Sequence, residues 1–265
     1  MRYLIGIDDT DNLQSRGTGF RARQLGQELM QNGLANVLGI SRHQLFFDPR
    51  VPYTSHNSSA CLEVEAGRFD YLKHYCSAFL AREAASGSDA GLCIVAADSL
   101  PEEVIRWGAR AKCELVTQAE VWRIATEHGL FLAAFTGNFD GAIGAMAAVG
   151  LRYSGNDGRF VWMEGKNFRE LSGLSSVSEL RRLLPIDGVA GEDLVLIPES
   201  SVVDLDGWVR PVLKNGKKIV LIEKYQHNGA ICYKCASKEL VRKISNYPSC
   251  AYSAFLLFWG SYCRG

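Results

Sequence analysis

Residues 3–20 read YLIGIDDTDNLQSRGTGF, and this run decides how the fold begins. Apolar residues broken by a single glycine form a short continuous stretch, the mark of a buried strand. Asp8, Asp9, Thr10 and Asp11 follow at its end, then a polar loop, then Gly17-Thr18-Gly19 at the head of a segment with Phe20, Leu25 and Leu29 at helical spacing. Carboxylates at the carboxyl end of such a strand lie where ligands bind α/β sheets. Three acids within four residues repel one another unless a cation or hydrogen-bond donors sit among them. Hard cations such as Mg²⁺ take oxygen ligands of this kind, together with substrate phosphates. The glycine turn offers free backbone N–H groups at a helix start, which suit a phosphate. The alternative is an ordinary solvated acidic turn.

Outward from this run, strands are expected at 35–41, 60–66 and 91–97, and helices at 18–32, 67–85, 101–112 and from the capping box Thr117-Gln118-Ala119-Glu120 onward. Residues 48–59, DPRVPYTSHNSS, form a polar loop whose prolines forbid regular structure. Its hydroxyls, amide and imidazole suit phosphate or ribose contacts. The alternation over 1–128 predicts an α/β domain. A second unit, 129–226, is expected to be a ferredoxin-like α+β sandwich. It has a strand at 130–135, a small-residue helix at 140–150, a hairpin over 151–163 turning at Asn156–Gly158, a helix at 176–184 and a hairpin at Asn215–Gly216. SGSDAG (86–91) reads as a binding loop or a helix-to-strand turn, and TGNFDGAIGA (136–145) as an anion-binding turn or a tightly packed helix start.

The chain has 265 residues, 47% of them hydrophobic and 22% charged, with zero net charge, as expected of a globular protein rather than a disordered one. Its longest strongly apolar run, AFLLFW (254–259), is far short of the ~20 residues that span a bilayer. With no signal-like N-terminus and with scattered cysteines, the expected location is cytoplasmic. Charge is uneven. From Pro211 onward, nine lysines and arginines face two glutamates, a net +7. Within it, the basic C-terminal tail 227–265 is a candidate RNA contact, with Tyr225 just before it and Tyr233, Tyr247 and Trp259 inside it as stacking groups. Its apolar run could instead pack on the second domain or on another copy in a homo-oligomer. Cys232-x-x-Cys235 is half a zinc knuckle, with His227, Cys250 and Cys263 as the available partners.

GIDDTD near the start, a glycine and threonine soon after, and GAIGAMAAVG near residue 145 together resemble the TiaS family, the archaeal tRNA-isoleucine agmatinylcytidine synthetases. The resemblance spans roughly residues 1–200. It implies an N-terminal kinase-like domain that binds ATP and Mg²⁺, followed by a ferredoxin-like domain. Carried over by position, Asp8, Asp9 and Asp11 would hold the metal, and with Thr18, the counterpart of a phosphorylatable threonine, would form the catalytic set. Thr10, Gly17, Gly19, Ser55, His56, Asn57 and Ser58 would contact the nucleotide. The chain departs from the family at Thr54–Ala60, where a lysine and an arginine are replaced by Thr54 and His56. Arg42 or Arg50 would have to supply the lost phosphate contact. The chain is also too short for a full OB-fold and zinc ribbon.

The expected function is therefore an ATP- and Mg²⁺-dependent phosphotransferase or activating enzyme, with tRNA or another RNA as a candidate partner. The alternatives are a non-catalytic nucleotide- or RNA-binding module and a kinase-like enzyme acting on a small polar metabolite.

Overall fold

The computed structural model describes residues 1–245 apart from 55, 167, 207, 208 and 228. Its first half is built from β1 (Arg2–Asp8), α1 (Thr18–Gln31), β2 (Asn36–Gln44), β3 (Ser58–Glu65), α2 (Phe69–Glu83) and β4 (Gly91–Ala96). The strands lie in the order β4-β1-β3-β2, and every adjacent pair is antiparallel. That is the βαββαβ connectivity of a ferredoxin-like unit. The ferredoxin-like pattern expected over 129–226 is thus found in the N-terminal half. Alternating helices and strands predict crossovers but not direction, and here β3 returns beside β1 rather than running with it.

Further on come α3 (Glu102–Arg110), α4 (Gln118–Glu127), β5 (Phe131–Ala134), α5 (Gly141–Tyr153) and β6 (Arg159–Trp162). β5 pairs with β4, and α5 packs on the same sheet, so both belong to the first unit rather than opening a second at 129. Residues 151–153, expected in a hairpin, continue α5, whose Ala/Gly-rich face can lie unusually close to the sheet. A Cβ on Gly6 would fall 1.9 Å from the Ala145 carbonyl oxygen, so only glycine permits this approach. Side chains alternate along β1. Tyr3, Ile5 and Ile7 pack with Leu25, Leu29, Leu72 and Phe79 of α1 and α2, whereas Leu4 joins Trp107, Ala145 and Val149 on the other face.

The sheet continues through β6 into the C-terminal half. It holds β7 (Leu174–Ser176), α6 (Val177–Leu183), β8 (Gly188–Ala190), β9 (Val202–Asp204), β10 (Pro211–Lys214), β11 (Lys217–His227), β12 (Ala230–Cys235) and α7 (Lys238–Ser245). Among the described residues twelve strands join one sheet, in the order β5-β4-β1-β3-β2-β6-β10-β11-β12-β9-β7, with β8 on β11. The hairpin at Asn215–Gly216 and the capping box of α4 fall where the residues predict them, and α6 begins with a capping box of its own at Ser176 and Glu179. Part of the basic segment folds back. Val241 and Ile244 of α7 are buried against Val212, Ile219 and Leu221, and Lys243 pairs with Glu192 at 2.5 Å. Tyr247, Cys250, AFLLFW, Trp259 and Cys263 lie outside the described residues.

The β2–β6 seam is locked by a buried polar chain. His43 Nε2 meets Ser41 Oγ at 2.7 Å, His43 Nδ1 meets Asp157 Oδ1 at 2.9 Å, and Lys112 Nζ lies 2.7 Å from Asp157 Oδ2. Burial lowers the His43 pKa against the pull of Asp157. Burial would raise the Asp157 carboxyl, but Lys112 and His43 hold it below its usual range. Ser41 and His43 are fully enclosed, so this Ser–His–Asp sequence is a structural clasp, out of reach of any substrate.

Candidate functional site

Alternation along β1 aims Asp8 at α5, where a Cβ on Gly144 would lie 1.8 Å from Asp8 Oδ2. The chain then turns sharply, with Asp9 at a φ of 47°, a left-handed conformation that side chains other than glycine seldom adopt. A cavity of about 220 Å³ opens here, lined by Asp8, Asp9, Asp11, Asp89 and Asp140 together with Thr54, His56, Asn57 and Ser58. The polar 48–59 loop therefore borders the aspartates, in keeping with its composition. Ser55 lies outside the described residues.

The carboxylates are crowded. Burial and then Asp9 raise the Asp8 pKa well above the normal carboxylate range. Burial, then Asp89 and Asp11, push Asp9 up to about 6. Asp11 is differently placed. Its Oδ1 accepts from the Thr18 N–H at 2.9 Å and the Thr18 hydroxyl at 2.8 Å, and its Oδ2 accepts from the Thr54 hydroxyl at 2.8 Å. Gly17 occupies the N-cap of α1 without a side chain, and Asp11 does the capping from outside the helix. Thr10 is buried, and its N–H donates to Thr18 Oγ1 at 3.3 Å. Gly19 has open space around it.

Among the described residues no three His, Cys, Asp or Glu side chains gather closely enough to hold a metal ion by themselves. Asp8, Asp9 and Asp11 line one cavity, but Asp11 is turned to its two threonines. Asp8 and Asp9 remain as oxygen donors with too little positive charge nearby, a donor set that fits a hard cation completed by phosphate oxygens. Cys232 and Cys235 are three residues apart on β12, so a strand's alternation sends their thiols to opposite faces, unlike a chelating knuckle.

In the loop, the Asn57 side-chain amide donates to the Phe46 carbonyl at 2.7 Å, and the Asn57 carbonyl accepts from the Leu45 N–H at 2.9 Å. Asn57 therefore shapes the loop, whereas His56 is exposed at the cavity. Burial, then Arg42 and Arg242, lower the His56 pKa. Of the two candidate arginines, Arg50 is engaged with Asp48 at 2.7 Å. Arg42 reaches the site, donating from Nε to Ser58 Oγ at 2.7 Å. Asp89 and Asp140 are acids that the sequence reading does not single out as ligands. The antiparallel β1–β4 pairing brings the start of β4 beside the end of β1, with Asp8 opposite Gly91. The two ambiguous loops, SGSDAG and TGNFDGAIGA, are therefore the ones that deliver these two acids.

Comparison with known proteins gives a likeness of fold. The sequence matches no protein-family model and no curated protein. Over 57% of its length the chain shares the fold of TiaS structures. The apo form of TiaS, a tRNA agmatidine synthetase, superposes with a TM-score of 0.50 at 22% identity, over 57% of this chain and 35% of the other. The complex of TiaS with tRNA and ATP gives 0.51 at 23%, over 57% and 36%, as does a tRNA fluorescent labeling enzyme. This chain thus matches little more than a third of each of those chains. The resemblance carried by GIDDTD and GAIGAMAAVG extends to the three-dimensional fold. Among the described residues no helix is long and apolar enough to cross a membrane.

Proposed function

We propose that the chain is an ATP-using enzyme whose nucleotide phosphates enter the aspartate cavity at the head of α1, in the manner of a tRNA-modifying relative. The observation that carries the reading is the confinement of Asp8 and Asp9, with Asp89 and Asp140, to one 220 Å³ cavity whose one lining arginine, Arg50, is paired with Asp48. It is supported by fold neighbours whose structures hold tRNA together with ATP, or with AMPCPP and agmatine. Asp8 and Asp9 would hold Mg²⁺, which when bound would neutralise phosphate charge. Asp11 orients Thr18 and takes up its N–H, capping α1 beside the cavity. The Thr18 oxygen accepts from the Thr10 N–H at 3.3 Å and the Thr10 hydroxyl at 3.2 Å, which occupies its lone pairs and favours a positioning role for Thr18 over a nucleophilic one. Incubation with ATP and Mg²⁺, resolving ADP from AMP plus pyrophosphate, tests this. Either product, lost in Asp9→Ala, is expected. A well-folded chain that neither binds nor cleaves ATP would end the proposal.

A further inference from the structure

A second cavity, of about 560 Å³, shares Asp11, Thr18, Thr54, His56 and Ser58 with the first but none of its other aspartates. Its charge is reversed. Arg23, Arg42, Arg159 and Arg210 line it, and the one acid among its lining residues, Asp11, already accepts from Thr18 and Thr54. Arg42 and Arg159 sit directly opposite each other across the β2–β6 pair, which puts both guanidinium groups on the same face. Both are half-buried, and among the described residues neither forms an ion pair with a carboxylate. Burial, then the fields of Arg42 and of Arg242 on α7, lowers Arg159 to about 10. Burial likewise lowers Arg42, with Asp11 and Asp8 pulling the other way. Opposed like charges destabilise a strand pair. Two guanidinium groups held at one register position, half withdrawn from water, make chemical sense if an anion completes them.

We infer that this trough seats a phosphate monoester carried by a second ligand, clamped between Arg42 and Arg159 beside the nucleotide. The forked donors of arginine match phosphate oxygens two at a time. Two full positive charges focused on one point suit a group carrying close to two negative charges. A phosphodiester backbone, with one charge per unit spread along a strand, would be served by an extended basic stripe instead. A cationic amine would be repelled. The anion site stands on the arginines alone, and only its place beside a nucleotide rests on the proposed ATP use.

The test uses the full chain and three probes: glycerol phosphate, a short RNA with a 5′-phosphate, and the same RNA with a 5′-hydroxyl. Each is titrated with and without a saturating non-hydrolysable ATP analogue. Glycerol phosphate and the 5′-phosphorylated RNA are expected to bind in both conditions. Arg159→Gln should weaken both at least tenfold, Arg159→Lys should weaken them less, and the analogue's own affinity should stay within twofold. Equal binding of the two RNAs would overturn the inference in favour of backbone recognition. Displacement of glycerol phosphate by the analogue would overturn it too, by making the trough the nucleotide's own phosphate site. Glycerol phosphate binding in a chain that takes no ATP analogue would uphold the trough and remove the nucleotide reading.

Discussion

Five aspartates line the smaller cavity and four arginines line the larger, yet both cavities meet at Asp11, Thr18, Thr54, His56 and Ser58. In each, burial moves the charged groups toward neutrality, up for Asp8 and Asp9 and down for Arg42 and Arg159. Direct pairing of the two sets would relieve both, and the fold prevents it. Asp8 faces α5, while Arg42 and Arg159 share the face that lines the trough. Asp11, Thr18 and Thr54, which stand between, are already hydrogen-bonded to one another. The difference teaches that each cluster is kept unneutralised by the backbone, as expected where ligands supply the missing charge.

The largest expected effect is that of Asp9→Ala, which should lower ATP cleavage by about 100-fold or more. Product chromatography would show it, with the melting temperature unchanged or raised because a crowded charge is gone. Gly144→Ala should come next. Its methyl group would displace Asp8 and overpack α5, costing about 1–3 kcal/mol in denaturant unfolding. Gly19→Ala at the trough meets nothing and should be near neutral in the same measurement. Arg159→Met should raise stability by ~1 kcal/mol while removing phosphate affinity, the trade expected of a group kept for binding. An unchanged or lower stability would mean that Arg159 has a structural partner.

Lys214 gives the smallest effect and serves as a control, being a buried cation that lines neither cavity. Its Nζ donates to the Asn156 carbonyl at 2.6 Å, and burial lowers it from its ordinary value to about 8. Below about pH 8 the folded state carries this cost in full. Between about 8 and the unfolded value near 10.5 the unfolded chain binds the extra proton, so stability rises with pH. Lys214→Met should therefore stabilise at pH 7 and progressively less by pH 10, read as paired thermal melts.

Much of this was legible from local chemistry. The Thr117–Glu120 capping box, the Asn215–Gly216 turn and the opening strand each depend on residues near one another in sequence. Strand direction was not, because β3 and β4 run antiparallel to β1 by virtue of contacts made only in the folded sheet. The same gap hid half of the site. Asp8, Asp9 and Asp11 announce themselves in four residues, whereas Asp89 and Asp140 join them only through the β1–β4 pairing and the seat of α5. Arg159 was invisible for a related reason. Nothing around it in sequence marks it, and its partner Arg42 lies across a seam between distant segments.

That seam also constrains how the molecule can move. β2 and β6 are hydrogen-bonded neighbours in one sheet, and His43, Asp157 and Lys112 rivet the pair from inside. Opening a cleft by swinging one half away from the other would tear backbone bonds and expose a buried ion pair. A large hinge motion at this seam would therefore be costly, and a ligand entering either cavity meets a frame that holds its shape.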